Sequence, residues 1–137
     1  QKRIKKFVQK IMKQLKNERK ELFVVNDKDG TPTYTHDFAK NVKLLLEKEI
    51  WGLYNMVCEG LTSRFEVAQE IISELGLKDE IIIHEVTSKY FSEEYFADRP
   101  NCERLINKHL DDLGLNVMRE WRVALKDYIE SSYKNYL

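Results

Sequence analysis

The stretch NDKDGTPTYTHDFA, residues 26–39, crowds Asp27, Asp29, Gly30, Pro32 and three threonines into one connection that ends in His36-Asp37-Phe38-Ala39. Carboxylates, hydroxyls and an imidazole in a turn-forming segment suit a binding surface. They suit equally a polar loop with a capped helix behind it, and residue types alone leave both open. Elsewhere the reactive residue types lack the spacing that chemistry needs. His36, His84 and His109 show no ligand pairing, whereas a zinc site converges three or four ligands, so each reads as a surface or capping residue and no metal is expected. A phosphate-cradling loop needs closely spaced glycines between a strand and a helix. Here Gly30, Gly52, Gly60, Gly76 and Gly114 stand isolated. No P-loop, dinucleotide fingerprint or serine nucleophile elbow can be drawn. The residues hold no catalytic constellation, and any chemistry must be completed by groups supplied from elsewhere.

Length and composition bound the frame for these groups. With 137 residues, 42% apolar and 34% charged, the chain suits one globular domain, or one lobe of something larger. No apolar run approaches the roughly 20 residues of a membrane span, and no leader pattern is present. Cys58 and Cys102 lack metal-like spacing and read as reduced, partly buried side chains, which favours a cytoplasmic protein. The formal net charge of zero hides a basic first helix, with nine lysines and arginines against Glu18 over residues 1–20. Because no aromatics are interleaved there to stack on bases, a solvated face is expected and no nucleic acid.

Apolar periodicity then supplies the elements. Ile4, Phe7, Val8, Ile11, Met12 and Leu15 predict an amphipathic helix over residues 3–19, and 22–25 a short buried strand. Thr35 is predicted to cap a second helix, with Asp37 in its first turn and Phe38, Ala39, Val42, Leu45 and Leu46 as its inner face. Residues 52–57 alternate like a strand. Ser63-Arg64-Phe65-Glu66 spells a capping box, opening a helix that stops at Gly76. A third strand over 81–86 follows, then an irregular aromatic stretch ending in Arg99-Pro100. A short helix stopped by Gly114 and a last amphipathic helix carrying Trp121 complete the pattern. This is an α/β order with strands too few and too short to form a covered sheet alone.

Four co-linear segments carry a resemblance: FVQKIMKQLKNERKELFVVNDKDGTPTYTHDFAK, GLYNMVCEGLTSRFEVAQEII, RPNCERLINKHL and REWRVALKDYI. Together they resemble the C-terminal half of dTDP-4-dehydrorhamnose reductases, members of the extended short-chain dehydrogenase/reductase superfamily. The resemblance implies a substrate-binding lobe, helices around a few short strands, with the N-terminal Rossmann half missing. In that family the Rossmann half binds NADPH or NADH and carries a Tyr-x-x-x-Lys pair for proton donation. None of the seven tyrosines here has a lysine four positions on. No catalytic and no cofactor-binding residue is therefore expected in this chain.

The resemblance also implies ligand contacts. The Gly-Thr-Pro-Thr loop is expected to face the cleft for the dTDP-sugar, with Gly30 allowing a positive backbone angle, Pro32 shaping the loop, and Thr31 and Thr33 offering hydroxyls. Arg99 is expected to pair with diphosphate oxygens, its alternative being an ion pair with Asp98 or Glu103. Glu103 and Ile106 depart from the family pattern and bear on which sugar nucleotide is bound. Where some relatives place a metal-binding glutamate after the loop, this chain has His36 and Asp37. The first helix is expected to lie against the Rossmann half, leaving Phe7, Val8, Ile11 and Leu15 less well covered than the last helix, unless a second copy in a homodimer covers them. The alternative function from another class is a non-catalytic regulatory subunit of the same fold, like the β subunit of methionine adenosyltransferase.

Overall fold

A computed structural model describes residues 7–91 and 100–136; Arg99 lies outside them. The chain runs α1 (Phe7–Lys16), β1 (Glu21–Val25), α2 (Thr35–Glu47), α3 (Arg64–Glu74), β2 (Ile82–Val86), a 3-10 turn (Ser88–Phe91), α4 (Lys108–Asp112) and α5 (Trp121–Tyr133). The strands pair in parallel, Phe23 opposite His84 and Val25 opposite Val86, and α3 packs on both. Met12, Leu22, Ala68, Ile71 and Trp121 are the most completely buried apolar side chains of a core held between α1, α3, α5 and the sheet. Helices around a few short strands is thus the architecture found. Among the described residues no helix is long and apolar enough to cross a membrane.

Residues 52–57 do not form the strand their alternation predicts. Their backbone finds a side chain where a strand would find a neighbour. Buried Asn107 accepts from the Val57 amide at 2.9 Å and donates to the Val57 carbonyl at 2.8 Å, reproducing both bonds of a ladder rung.

The inner face of α2 also differs from expectation. Asp37, Asn41 and Leu45 are buried, while Phe38 and Leu46 are 43% and 54% exposed. Two polar side chains turn inward because each has a partner. Asn41 bonds the Leu115 carbonyl and the Val117 amide, and Asp37 receives a forked bond from Arg119. Nor does Thr35 cap the helix. Tyr34 occupies that position without a side-chain bond, its carbonyl accepting from the Phe38 amide at 3.0 Å.

Expectations for α1 hold only at its start. Ile11 and Leu15 are buried within this chain, whereas Phe7 and Val8 are half-buried. Cys58 is buried, but Cys102 is exposed rather than partly buried.

Helix ends follow local rules closely. Ser63 and Glu66 complete the capping box, the Glu66 amide donating to Ser63 Oγ and the Ser63 amide to Glu66 Oε2. Helix α3 then closes with paired bonds, Gly76 amide to Ser73 carbonyl and Leu77 amide to Ile72 carbonyl, with Gly76 at φ 69°. Helix α2 closes by the same pattern, but with Glu49 at φ 54° in the left-handed position. A side chain there strains the backbone by about 1–2 kcal/mol, partly offset by the greater freedom glycine has when unfolded. Glu49→Gly is therefore expected to stabilise the chain by about 0.5–1 kcal/mol. A urea unfolding midpoint that stays put or falls would contradict this.

Two carboxylates tie elements together in their charged form. The backbone amide of Ser88, helped by its hydroxyl, holds the Asp27 carboxyl below its ordinary value and joins the ends of β1 and β2. Burial pushes Glu66 upward, but the Ser63 amide and the Thr62 and Ser63 hydroxyls outweigh it, so its net shift is downward. Lowered folded values mean that the stabilisation is complete above the unfolded carboxylate range and lost as pH falls through the folded values. Stability should hold to about pH 4.5 and decline below it. Glu66→Gln should flatten that decline in unfolding curves recorded from pH 6 to pH 2.5, and an unchanged slope would count against the assignment.

Candidate functional site

Residues 28–35 roof a cleft of about 360 Å³. Its floor is apolar and aromatic: Phe7 and Val8 from α1, Val67 from α3, and Trp121, Ala124, Leu125 and Tyr128 from α5. Arg64 and Lys28 bring positive charge to the lining, Asp29 and Glu103 negative charge.

The roof is fixed from both sides. Gly30 donates its amide to the Thr62 carbonyl at 3.0 Å, and the Arg64 amide donates to the Lys28 carbonyl at 3.3 Å. On the other side the Asp29 amide donates to the Asn101 carbonyl at 2.7 Å, and the Glu103 amide to the Asp29 carbonyl at 2.9 Å. Arg104 pairs with the Asp29 carboxylate at 3.3 Å. The segment just beyond Arg99-Pro100 is therefore bonded to the loop, which brings two regions singled out in the sequence together.

Each expected contact residue has a different place here. Thr31 spends its hydroxyl on the Gly60 carbonyl at 2.9 Å, which makes it an anchor of the loop. Pro32 lines the cleft. Thr33 lines it too, exposed, with no hydrogen-bond partner for its hydroxyl among the described residues. Gly30 does not adopt the positive angle expected of it, and a Cβ there would meet only Glu103 Cβ, at 4.0 Å. The glycine that the site requires is Gly60, at φ 93°, where a Cβ would lie 2.9 Å from the ring of Trp121.

The far end of the roof is held by charge. Arg119 Nε and Nη2 grip the Asp37 carboxylate at 3.0 and 2.9 Å, and Nη1 reaches Asp127. These bonds, to Asp37 first and Asp127 second, push the guanidinium pKa upward, so Arg119 stays charged. The Arg119 guanidinium lies 6.0 Å from the centre of the Tyr34 ring, which is itself 6.0 Å from the ring of Tyr128. Sequence reading missed Arg119, Asn107 and Asn41 alike. The signal was present only as polar residues inside amphipathic stretches.

Cys58 also lines the cleft. Burial pushes its thiol pKa up, and the Tyr34 amide donates to Sγ at 3.4 Å, so it serves packing rather than nucleophilic attack. The Ser88 amide after β2 is already taken by a carboxylate, and the Gly30 amide after β1 by a carbonyl. Among the described residues no cluster of ligating side chains could hold a metal.

Residues 1–134 match the model of the family described as RmlD substrate binding domain. Spore coat polysaccharide biosynthesis protein SpsK of Bacillus subtilis (strain 168) is 33% identical over 124 residues, covering 90% of this chain and 41% of the relative. A dTDP-4-dehydrorhamnose reductase of Mycobacterium tuberculosis (strain H37Rv) is 32% identical over 103 residues, covering 74% and 33%. The crystal structure of a dTDP-4-dehydrorhamnose reductase from Clostridium acetobutylicum superposes with TM-score 0.81 at 32% identity, over 89% of this chain and 42% of that one. The reductase from Bacillus anthracis, solved in complex with NADP, gives 0.80 at 28% identity, over 96% and 44%. The chain thus spans from a third to less than half of the length of these relatives. A family match over nearly every residue, on a fold shared with these reductases, means that the chain belongs to the RmlD substrate binding domain family.

Proposed function

We propose that this chain is the substrate-binding part of an NAD(P)H-dependent dTDP-4-dehydrorhamnose reductase, acting in the supply of dTDP-L-rhamnose. The observation that carries the reading is the rigid loop of residues 28–35 over an aromatic cleft, within a chain of this family. An aromatic floor suits a nucleobase, and the hydroxyl of Thr33 is placed to meet a polyhydroxylated ligand. Pro32 holds the loop's shape, Thr31 anchors it, and Arg99 is proposed as a further contact to the diphosphate.

Nicotinamide cofactor and catalytic pair belong, on this reading, to an N-terminal Rossmann half. The isolated glycines and occupied strand-end amides of this chain do not fit the cofactor. That half also accounts for the apolar surface at Phe38, Leu46, Trp51 and Leu53, since the relatives carry more than half their length outside the matched region. A second copy of the chain is the competing cover. The relatives quoted do not favour the regulatory-subunit alternative.

The complete protein should oxidise NADPH or NADH on addition of dTDP-4-dehydrorhamnose, whereas residues 1–137 alone should give no turnover. Failure of the complete protein to consume cofactor with this substrate would defeat the proposal. Turnover by the purified 137 residues would defeat the half-enzyme reading.

A further inference from the structure

We propose that Arg64 is an anion-binding residue of the cleft, contacting the diphosphate of the nucleotide ligand. The inference rests on the substrate-binding reading above and adds a contact residue to it.

Other described arginines of the chain are already partnered. Arg19 bonds Gln14, Arg104 pairs with Asp29, Arg119 with Asp37 and Asp127, and Arg122 with Glu70 and Glu120. Among the described residues, Arg64 alone has a guanidinium with neither hydrogen bond nor ion pair. It is also a lining residue of the cleft. An unpaired fork of five donors beside an aromatic floor matches a ligand with an aromatic ring at one end and oxyanions at the other.

Placement of the side chain is well determined at its root. Arg64 opens α3 directly after the Ser63 cap, and its own amide is held by the Lys28 carbonyl at 3.3 Å. The Arg64 amide is taken by the Lys28 carbonyl and the Glu66 amide by Ser63 Oγ, so the guanidinium is the charged donor that this helix start leaves for an anion. Asp29 and Glu103, which share the lining, do not compete for it: the Asp29 carboxylate pairs with Arg104, and no pair joins Glu103 to Arg64.

Calorimetric titration of the complete protein with dTDP and with thymidine separates the anion contact from the base contact. Arg64→Ala should weaken dTDP binding about 10- to 100-fold, as expected for losing a charge-assisted contact, and leave thymidine affinity unchanged. Arg64→Lys should recover part of the loss, because it restores charge without the fork. Arg64→Gln gives a second neutral variant should Arg64→Ala fold poorly, and it should match the alanine loss. Unchanged dTDP affinity in a folded neutral variant, or equal losses for dTDP and thymidine, would overturn the assignment. The two proposals can fail separately. If the wild-type protein bound another nucleoside diphosphate in preference to dTDP and lost it on Arg64→Ala, Arg64 would stand and the dTDP-sugar reading would fall.

Discussion

Gly60→Ala is expected to destabilise the chain by about 2–5 kcal/mol, the sum of a left-handed backbone penalty and an overpacking penalty. At φ 93° the backbone disfavours any side chain, and the new methyl would sit 2.9 Å from Trp121 Cδ1 and 3.1 Å from Glu120 Oε1. Glu120 can move, but Trp121 is 1% exposed and held in the core. Gly76→Ala supplies the control. Its φ is 69°, yet nothing lies within 4 Å of the new carbon, so only the conformational cost of about 1 kcal/mol applies. Urea unfolding of both variants should rank them clearly, and equal midpoints would mean that the contact with Trp121 is not confining. Because the Gly60 carbonyl anchors Thr31, the same change should loosen the roof of the cleft.

Asn107→Ala is the second large effect, a loss of about 2–4 kcal/mol. It strands the Val57 amide and carbonyl together, and an unsatisfied buried polar group costs about 1–3 kcal/mol. The same amide also donates to Glu59 at 2.9 Å, so removal takes away one of the bonds that hold the segment leading to Gly60. Asn107→Asp should not rescue the loss at neutral pH. It keeps an acceptor for the Val57 amide but loses the donor and sets a negative charge beside Glu59. Equilibrium unfolding at pH 7 decides this, and an aspartate variant as stable as wild type would show that the rung from side chain to backbone is dispensable.

These two positions show why some of the fold was legible and some was not. Periodic apolar residues placed α1, α3 and α5 correctly, since Met12, Ile71 and Trp121 sit where amphipathic spacing puts them. Ser63 and Glu66 announced a helix start because a capping box is a purely local interaction. Alternation over residues 52–57 misled because a strand needs a neighbour, and here the partner is Asn107, 50 residues away. The inner face of α2 misled for a related reason. Asp37 and Asn41 are buried only because Arg119 and the 115–117 backbone satisfy them, and such pairing over more than 70 residues leaves no trace in spacing.

The site divides in the same way. The loop was visible in its turn-forming residues, and the structure does place Thr31, Pro32 and Thr33 on the cleft. Their separate roles were not visible, because Thr31 differs from Thr33 only in finding the Gly60 carbonyl. Gly30 was credited with a conformation that belongs to Gly60, which the sequence shows as an isolated glycine with no turn partner. Arg64 sits inside the capping box, whose pattern depends on Ser63 and Glu66 alone and carries no information about the residue between them.

The central claim is that the cleft beneath residues 28–35 receives a dTDP-sugar. Backbone and indole amide spectra of the isotopically labelled complete protein, recorded while dTDP is added, test it most directly. The account predicts saturable shifts at Thr31, Thr33, Tyr34 and Arg64 and at residues of the floor such as Trp121 and Tyr128, with the exposed face of the sheet around His84 unmoved. Saturable shifts confined to other surfaces, with the loop and floor silent, would contradict it.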